Sequence, residues 1–140
     1  MNDTESVLLA NDNFYRALSL ADLGAMTRVW LASPDAACLH PGGPPLHGWP
    51  AIRESWASIF AHQGPLRVWA TEASVRLYGE TAEVTCLENI DAGRVSGAGI
   101  WQTRATNIFR RVKSDWKMLE HHAVSVAPPK SQRPERFSAN

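Results

Sequence analysis

Trp101-Gln102-Thr103-Arg104-Ala105-Thr106-Asn107-Ile108-Phe109-Arg110-Arg111-Val112, then Lys113-Ser114-Asp115, then Trp116-Lys117-Met118-Leu119-Glu120-His121-His122-Ala123-Val124-Ser125, reads as one long β-hairpin. Both arms are rich in aromatic and β-branched residues, and the Lys-Ser-Asp between them is a tight turn. Side chains alternate along a strand, so Asn107 shares a face with Trp101, Thr103, Ala105 and Phe109. On the second arm, His122 goes with Trp116, Met118 and Glu120, and His121 with Leu119. Adjacent histidines face opposite ways, so at most one enters a pocket without a bulge; the parity favours His122, and which of the two faces inward stays open.

Upstream the same period continues. Trp69, Thr71, Ala73, Val75 and Leu77 alternate with Glu72, Ser74 and Arg76, and after Gly79 a strand alternates Ala82, Val84, Cys86, Glu88 and Ile90 against Glu83, Thr85, Leu87, Asn89 and Asp91. Ala92-Gly93 reads as the turn into the hairpin. Before the strands the period is helical. Val7, Leu8, Ala10, Asn11, Phe14, Tyr15 and Leu18 mark a first amphipathic helix with Asp3 or Thr4 as its cap. Asp22 caps a short helix over Leu23 to Trp30. Ala36 to His40 is a short strand, Pro41 to Gly48 a rigid loop, and Trp49 to Phe60 a third helix with Pro50 in its first turn. Helices followed by a run of strands indicate α+β, with the helices on one face of a curved sheet.

The chain has 140 residues, which fits one domain over residues 1–127, followed by a proline-rich, polar tail over residues 128–140 that reads as loose. Hydrophobic residues make up 44% and charged residues 20%, as in ordinary globular proteins. Fourteen Lys and Arg balance fourteen Asp and Glu, so no basic footprint for nucleic acid is present. No apolar run approaches the roughly 20 residues of a membrane span. Residues 1–6 are polar and acidic rather than a basic segment before an apolar one, so a cytoplasmic location is expected. Cys38 and Cys86 each sit in an apolar strand, as free buried thiols do.

In order along the chain, Cys38-Leu39-His40-Pro41-Gly42-Gly43, Gly48-Trp49, Ile52-Arg53-Glu54-Ser55-Trp56, Val84 to Asn89, Thr106 to Arg111 and Trp116 to Ser125 resemble the nuclear transport factor 2-like superfamily. The resemblance is to its SnoaL-like and ketosteroid-isomerase-like bacterial members and spans most of residues 5–126. It implies a cone-shaped, curved antiparallel sheet with three N-terminal helices packed over its concave face, the cystatin-like roll. It also implies a pocket between sheet and helices, and a homodimer through the outer sheet face, where Trp69, Val75 and Leu77 would lie. It leaves activity open, because one fold hosts isomerases, dehydratases, cyclases and non-catalytic binders.

Three residues carry the acid–base expectation. Glu88 shares the apolar parity of its strand, so burial would favour its neutral form; the bland alternative is a bond to backbone or to Arg104. His122 is the proton shuttle on the hairpin, against a purely structural histidine. His40 ends its strand before Pro-Gly-Gly, where it either reaches over a cavity mouth or only fixes the loop. Tyr15, Trp30, Trp56, Trp101, Asn107 and Phe109 are the expected ligand-contacting residues. Tyr15 falls where the ketosteroid-isomerase-like members place an oxyanion-binding tyrosine. Their aspartates are missing: Asp35 precedes the first strand, Asp91 has polar parity and Asp115 lies in a turn. With no paired cysteine motif and no His-Glu-x-x-His helix, no metal and no cofactor are expected. The sequence supports two functions. One is a pocket for a small apolar or cyclic molecule, with cofactor-independent isomerase, dehydratase or hydrolase chemistry; the other is a non-catalytic dimeric binding or association module. It does not decide whether the protein is an enzyme.

Overall fold

The computed structural model describes residues 1–91 and 99–126. Helices α1 (Asp3–Leu20), α2 (Leu23–Val29) and α3 (Trp49–Gln63) accompany strands β1 (Ala37–Leu39), β2 (Leu46–His47), β3 (Arg67–Tyr78), β4 (Thr81–Asp91), β5 (Ile100–Val112) and β6 (Asp115–Ser125). The six strands form one curved, unclosed sheet in the order β2-β1-β6-β5-β4-β3. The class is α+β, as expected. One pairing departs from an all-antiparallel sheet: β1 runs parallel to β6, placing Cys38 opposite His121. The Ala92-Gly93 turn and the 128–140 tail lie outside the described residues.

Local chemistry explains the helix ends. Asn2, rather than Asp3 or Thr4, caps α1: its side chain accepts from Glu5 N at 2.8 Å while the Glu5 carboxylate accepts from Asn2 N at 3.2 Å. Asp22 caps α2 as expected, accepting from Ala25 N at 3.0 Å. The Ser19 hydroxyl ties the end of α1 to β3, donating to Val68 O at 2.6 Å and accepting from Val68 N at 3.1 Å. The loop read between residues 41 and 48 also contains β2, which pairs Leu46 with Cys38. Phe14 is the centre of the layer between helices and sheet, edge-on to Tyr15 at 4.8 Å and to Trp56 at 5.7 Å.

Two strands depart from the even period. In β3, Thr71 faces Leu87 and Ser74 faces Thr85, so one extra residue is inserted, and Glu72 takes a left-handed φ of 56°. Beyond that bulge the faces exchange: Val75 lies opposite Val84 and Leu77 opposite Ala82, on the inner face rather than the outer one. Trp69, opposite Asn89, does lie on the outer face. In β6, Phe109 pairs with Met118 and Ile108 with Glu120, leaving Leu119 as the extra residue. The freed geometry is used, since Met118 O accepts from Leu31 N at 2.9 Å just after α2.

Candidate functional site

The bulge at Leu119 decides which histidine turns inward. Beyond it the inner positions are His121 and Ala123, so His121 is 2% exposed while His122 is half-buried on the outer face, bonded to Glu120 at 2.9 Å. The expectation for His122 is corrected accordingly. A one-residue insertion reverses every side chain after it.

β4 carries no bulge, and Glu88 is inward and 4% exposed, as its parity indicates. Tyr15 Oη donates to its Oε2 at 2.7 Å, and Thr103 Oγ1, directly opposite on β5, donates to its Oε1 at 2.5 Å. Tyr15 Oη in turn accepts from Asn107 Nδ2 at 3.1 Å and lies 3.4 Å from Cys86 Sγ. Asn107 Nδ2 also donates to Asn11 Oδ1 at 2.9 Å. With both amide hydrogens so engaged, Asn107 Oδ1 is left to accept from His121 Nδ1 at 2.6 Å. His121 Nε2 therefore keeps its lone pair, 3.8 Å from Glu88 Oε2. The result is one buried chain of polar groups, contributed by α1, β4, β5 and β6.

Electrostatics make this chain more than a set of polar contacts. Burial pushes the Glu88 carboxyl above its ordinary range, against the opposing pull of the Thr103 and Tyr15 hydroxyls. Burial takes His121 down to about 3, so the imidazole is neutral at pH 7. The distance between His121 and Glu88 suits an ion pair, but a neutral ring makes none; a carboxyl faces a proton acceptor instead. Desolvation and the Glu88 charge hold the Tyr15 phenol far above its usual range, so it keeps its proton and can give it in a hydrogen bond to Glu88 while its oxygen accepts from Asn107.

His40 approaches from β1's end. Burial lowers it to about 4, with His121 lowering it further and Glu88 opposing. Its ring lies edge-on to Trp56 at 4.7 Å, and Trp56 lies 6.0 Å from His121. Cys38 stays a thiol, pushed up to about 12 by burial and by Glu88.

The other expected ligand contacts separate into two groups. Tyr15, Asn107 and Trp56 belong to the cluster, while Trp30, 5.8 Å from Trp49, and the fully buried Phe109 pack in the hydrophobic core. Trp101 keeps the inner register opposite Ile90, yet at the start of β5 it is 57% exposed and away from Glu88. Arg104 lies opposite Leu87 on the outer face, so it is no partner for Glu88. Asn11, Thr103 and Cys86 join the cluster without having been singled out. Asn11 carried a legible signal: it is a polar residue at an apolar-period position, one helical turn before Tyr15.

An open groove of about 590 Å³ lies elsewhere, between α1, α2 and the β5–β6 turn, lined by Leu9, Asn13, Arg16, Leu20, Arg28 and Trp116 among others. Neither Glu88 nor His121 lines it. Among the described residues, no group of three or more His, Cys, Asp or Glu side chains is arranged to hold a metal ion, and no helix is long and apolar enough to cross a membrane.

The SnoaL-like domain family matches residues 7–128. Among solved structures, the chain is 36% identical to a "putative dehydratase from the NTF2-like family" of Streptomyces avermitilis, over 90% of this chain and 97% of that one, with a TM-score of 0.80. It is 28% identical to a "putative calcium/calmodulin-dependent protein kinase type II association domain" of Thiobacillus denitrificans, over 84% and 93% of the two chains, with a TM-score of 0.77. A curated relative, the F-box protein SKIP8 of Arabidopsis thaliana, is 25% identical over 86% of this chain; the chain spans 49% of that protein's length.

Proposed function

Because the chain belongs to the SnoaL-like domain family, within the NTF2-like superfamily, we propose that it is a cofactor-independent acid–base catalyst of the dehydratase type acting on a small, apolar or cyclic molecule. One observation carries the reading: Glu88 is a buried carboxyl with a raised pKa, held by two hydroxyls and facing the free Nε2 of a neutral histidine. A carboxyl whose burial favours its protonated form can give a proton to a leaving hydroxyl, and a neutral imidazole can take one from carbon. In such an elimination the C–H proton passes to His121 or His40, the C–O bond breaks, and the hydroxide leaves as water with the proton of Glu88. The name of the Streptomyces avermitilis relative supports this choice over isomerisation or hydrolysis.

The test is a screen of small cyclic β-hydroxy carbonyl compounds, followed by the absorbance of the conjugated product. Glu88→Gln keeps one hydroxyl bond at its amide oxygen and turns the other around, its NH2 donating to the hydroxyl oxygen; it should lower turnover about 10²- to 10⁴-fold with the fold intact by circular dichroism. Unchanged turnover in that variant would sink the acid–base reading.

A second reading has its own support. Both Glu88 oxygens are already bonded within the chain, and a kinase association domain is among the similar structures. In that reading the protein is a non-catalytic dimeric module. Under either reading we expect a cytoplasmic homodimer joined through the outer sheet face, where Leu87 and Ile108 lie. The two free cysteines suit a reducing compartment. A monomeric mass by light scattering at micromolar concentration would remove the dimer.

A further inference from the structure

The geometry points to Ser55 as a positioning residue that holds His40 in its Nε2–H form and so leaves the Nδ1 lone pair of His40 free beside the Glu88 cluster. This rests on the acid–base reading above and adds to it a division of labour between the two histidines. Ser55 Oγ lies 2.7 Å from Ile52 O, three residues back on α3, and 3.0 Å from His40 Nε2. A hydroxyl has one hydrogen. The carbonyl can only accept, so that hydrogen goes to Ile52 O and the serine oxygen must accept from the imidazole. Nε2 therefore carries the proton, and Nδ1 does not.

The orientation of the ring is fixed from two sides. Trp56, the residue after Ser55, meets the ring edge-on at 4.7 Å and 90°. The turn closed by Gly43 N donating to His40 O at 2.9 Å fixes its backbone. The ring's other polar neighbour is Cys38 Sγ, 3.7 Å from Nε2 and 4.0 Å from Nδ1; a thiol is a weak donor and acceptor, so the 3.0 Å contact with Ser55 sets the tautomer. Titratable groups facing His40 are Cys38 on β1, Glu88 on β4 and His121 on β6. The thiol is protonated and both rings are neutral at pH 7, so among these groups of the described residues no cation competes for the lone pair.

His121 presents the opposite tautomer. Its Nδ1–H is committed to Asn107 and its Nε2 is free. Two neutral imidazoles are thus each locked by one residue that itself takes no proton; the His121 lone pair lies 3.8 Å from Glu88 Oε2, and His40 is close enough to that carboxyl to feel its charge. The second residue of each pair determines which nitrogen is basic, as partners of catalytic histidines do elsewhere.

The experiment is long-range ¹H–¹⁵N spectroscopy of the imidazoles in uniformly ¹⁵N-labelled full-length protein at pH 7. His40 should show a protonated Nε2 and a bare Nδ1, and His121 the reverse. Ser55→Ala should convert His40 alone to a tautomer mixture, leaving His121 as an internal control for the fold. Ser55→Thr, which keeps the hydroxyl, should restore the single form. In the turnover assay, Ser55→Ala should lower kcat about 10- to 100-fold with KM little changed, and Ser55→Thr should recover it. A protonated Nδ1 on His40 in the wild type, or an unaltered tautomer in Ser55→Ala, overturns the lock. An intact lock combined with full turnover in Glu88→Gln supports the inference about Ser55 and overturns the acid–base reading, so the two failures are distinct.

Discussion

β4 and β5 pair without a shift from Thr81 opposite Arg110 to Asp91 opposite Ile100, whereas the strands flanking them, β3 and β6, each carry one extra residue. In the central pair the even period holds throughout, so Glu88, Thr103 and Asn107 meet on one face with α1's Tyr15 above them. In the flanking pair it holds only up to the bulge, and the faces exchange after it. The centre of the sheet therefore supplies the fixed polar framework. The flanks decide, through a single residue each, what is turned toward it. Leu119 in β6 brings His121 inward, and the Glu72 bulge in β3 brings Val75 inward.

The largest expected effect comes from moving that insertion to the centre. One alanine inserted between Ala105 and Thr106 would turn either Asn107 and Phe109 or Thr103 and Ala105 to the outer face, all of them buried now. The loss should exceed the protein's whole stability, about 5–15 kcal/mol for a domain of ordinary stability, and the cooperative thermal transition should vanish. Deleting Leu119 should be far milder, because Met118 stays inward, Glu120 outward and His121 inward in a now regular strand. Its cost is the lost leucine packing, about 2–5 kcal/mol, read from the denaturant midpoint. Equal tolerance of the two changes would break the distinction between centre and flank.

The same asymmetry explains what could be read from the sequence. The α+β order, the three helices, the inward Glu88 and Asn107, and Tyr15 on the first helix all follow from periods of 3.6 and 2 in uninterrupted elements. The position of His121 does not. Nothing in Lys117-Met118-Leu119-Glu120 marks Leu119 as extra, since the apolar Met-Leu pair fits either face and the bulge is fixed by tertiary contact with Leu31. β2 was illegible because two residues in a proline-rich loop have no period. Trp30 and Phe109 were assigned to a ligand surface by residue type alone, and burial shows them as packing.

A pH comparison sharpens the two sides of β6. His121 has its folded pKa lowered from 6.5 to about 3, so between those values the unfolded chain binds more protons than the folded one. Its contribution is fully present above about pH 6.5 and is lost as the pH falls toward 3. His40, lowered to about 4, acts in the same direction. Glu88, raised, acts in the opposite one: its contribution is present at low pH and lost as the pH rises through its folded value. His121→Gln should therefore remove about 1.4 kcal/mol per pH unit from the slope of stability inside the His121 window, measured by urea unfolding at stepped pH. His122→Gln, which breaks only a half-exposed pair with Glu120, should cost about 0–1 kcal/mol and leave the slope due to the buried His121 in place. If both variants flatten the slope alike, the bulge does not determine which histidine is buried.

The smallest effect, and of opposite sign, lies at the other bulge. Glu72 holds a φ of 56° with an exposed side chain, a conformation in which a Cβ crowds the following carbonyl and which glycine adopts freely. Glu72→Gly relieves that strain, while the greater freedom of glycine in the unfolded chain opposes the gain. Since no helix or buried contact depends on the Glu72 side chain, strain relief should dominate and raise stability by about 0.5–1 kcal/mol in thermal unfolding. Glu72→Val, β-branched at the same φ, should lower it. The pair of variants reads the backbone directly: if glycine destabilises and valine does not, the left-handed residue is absent in solution and β3 pairs in a regular register, with Val75 and Leu77 returned to the outer face.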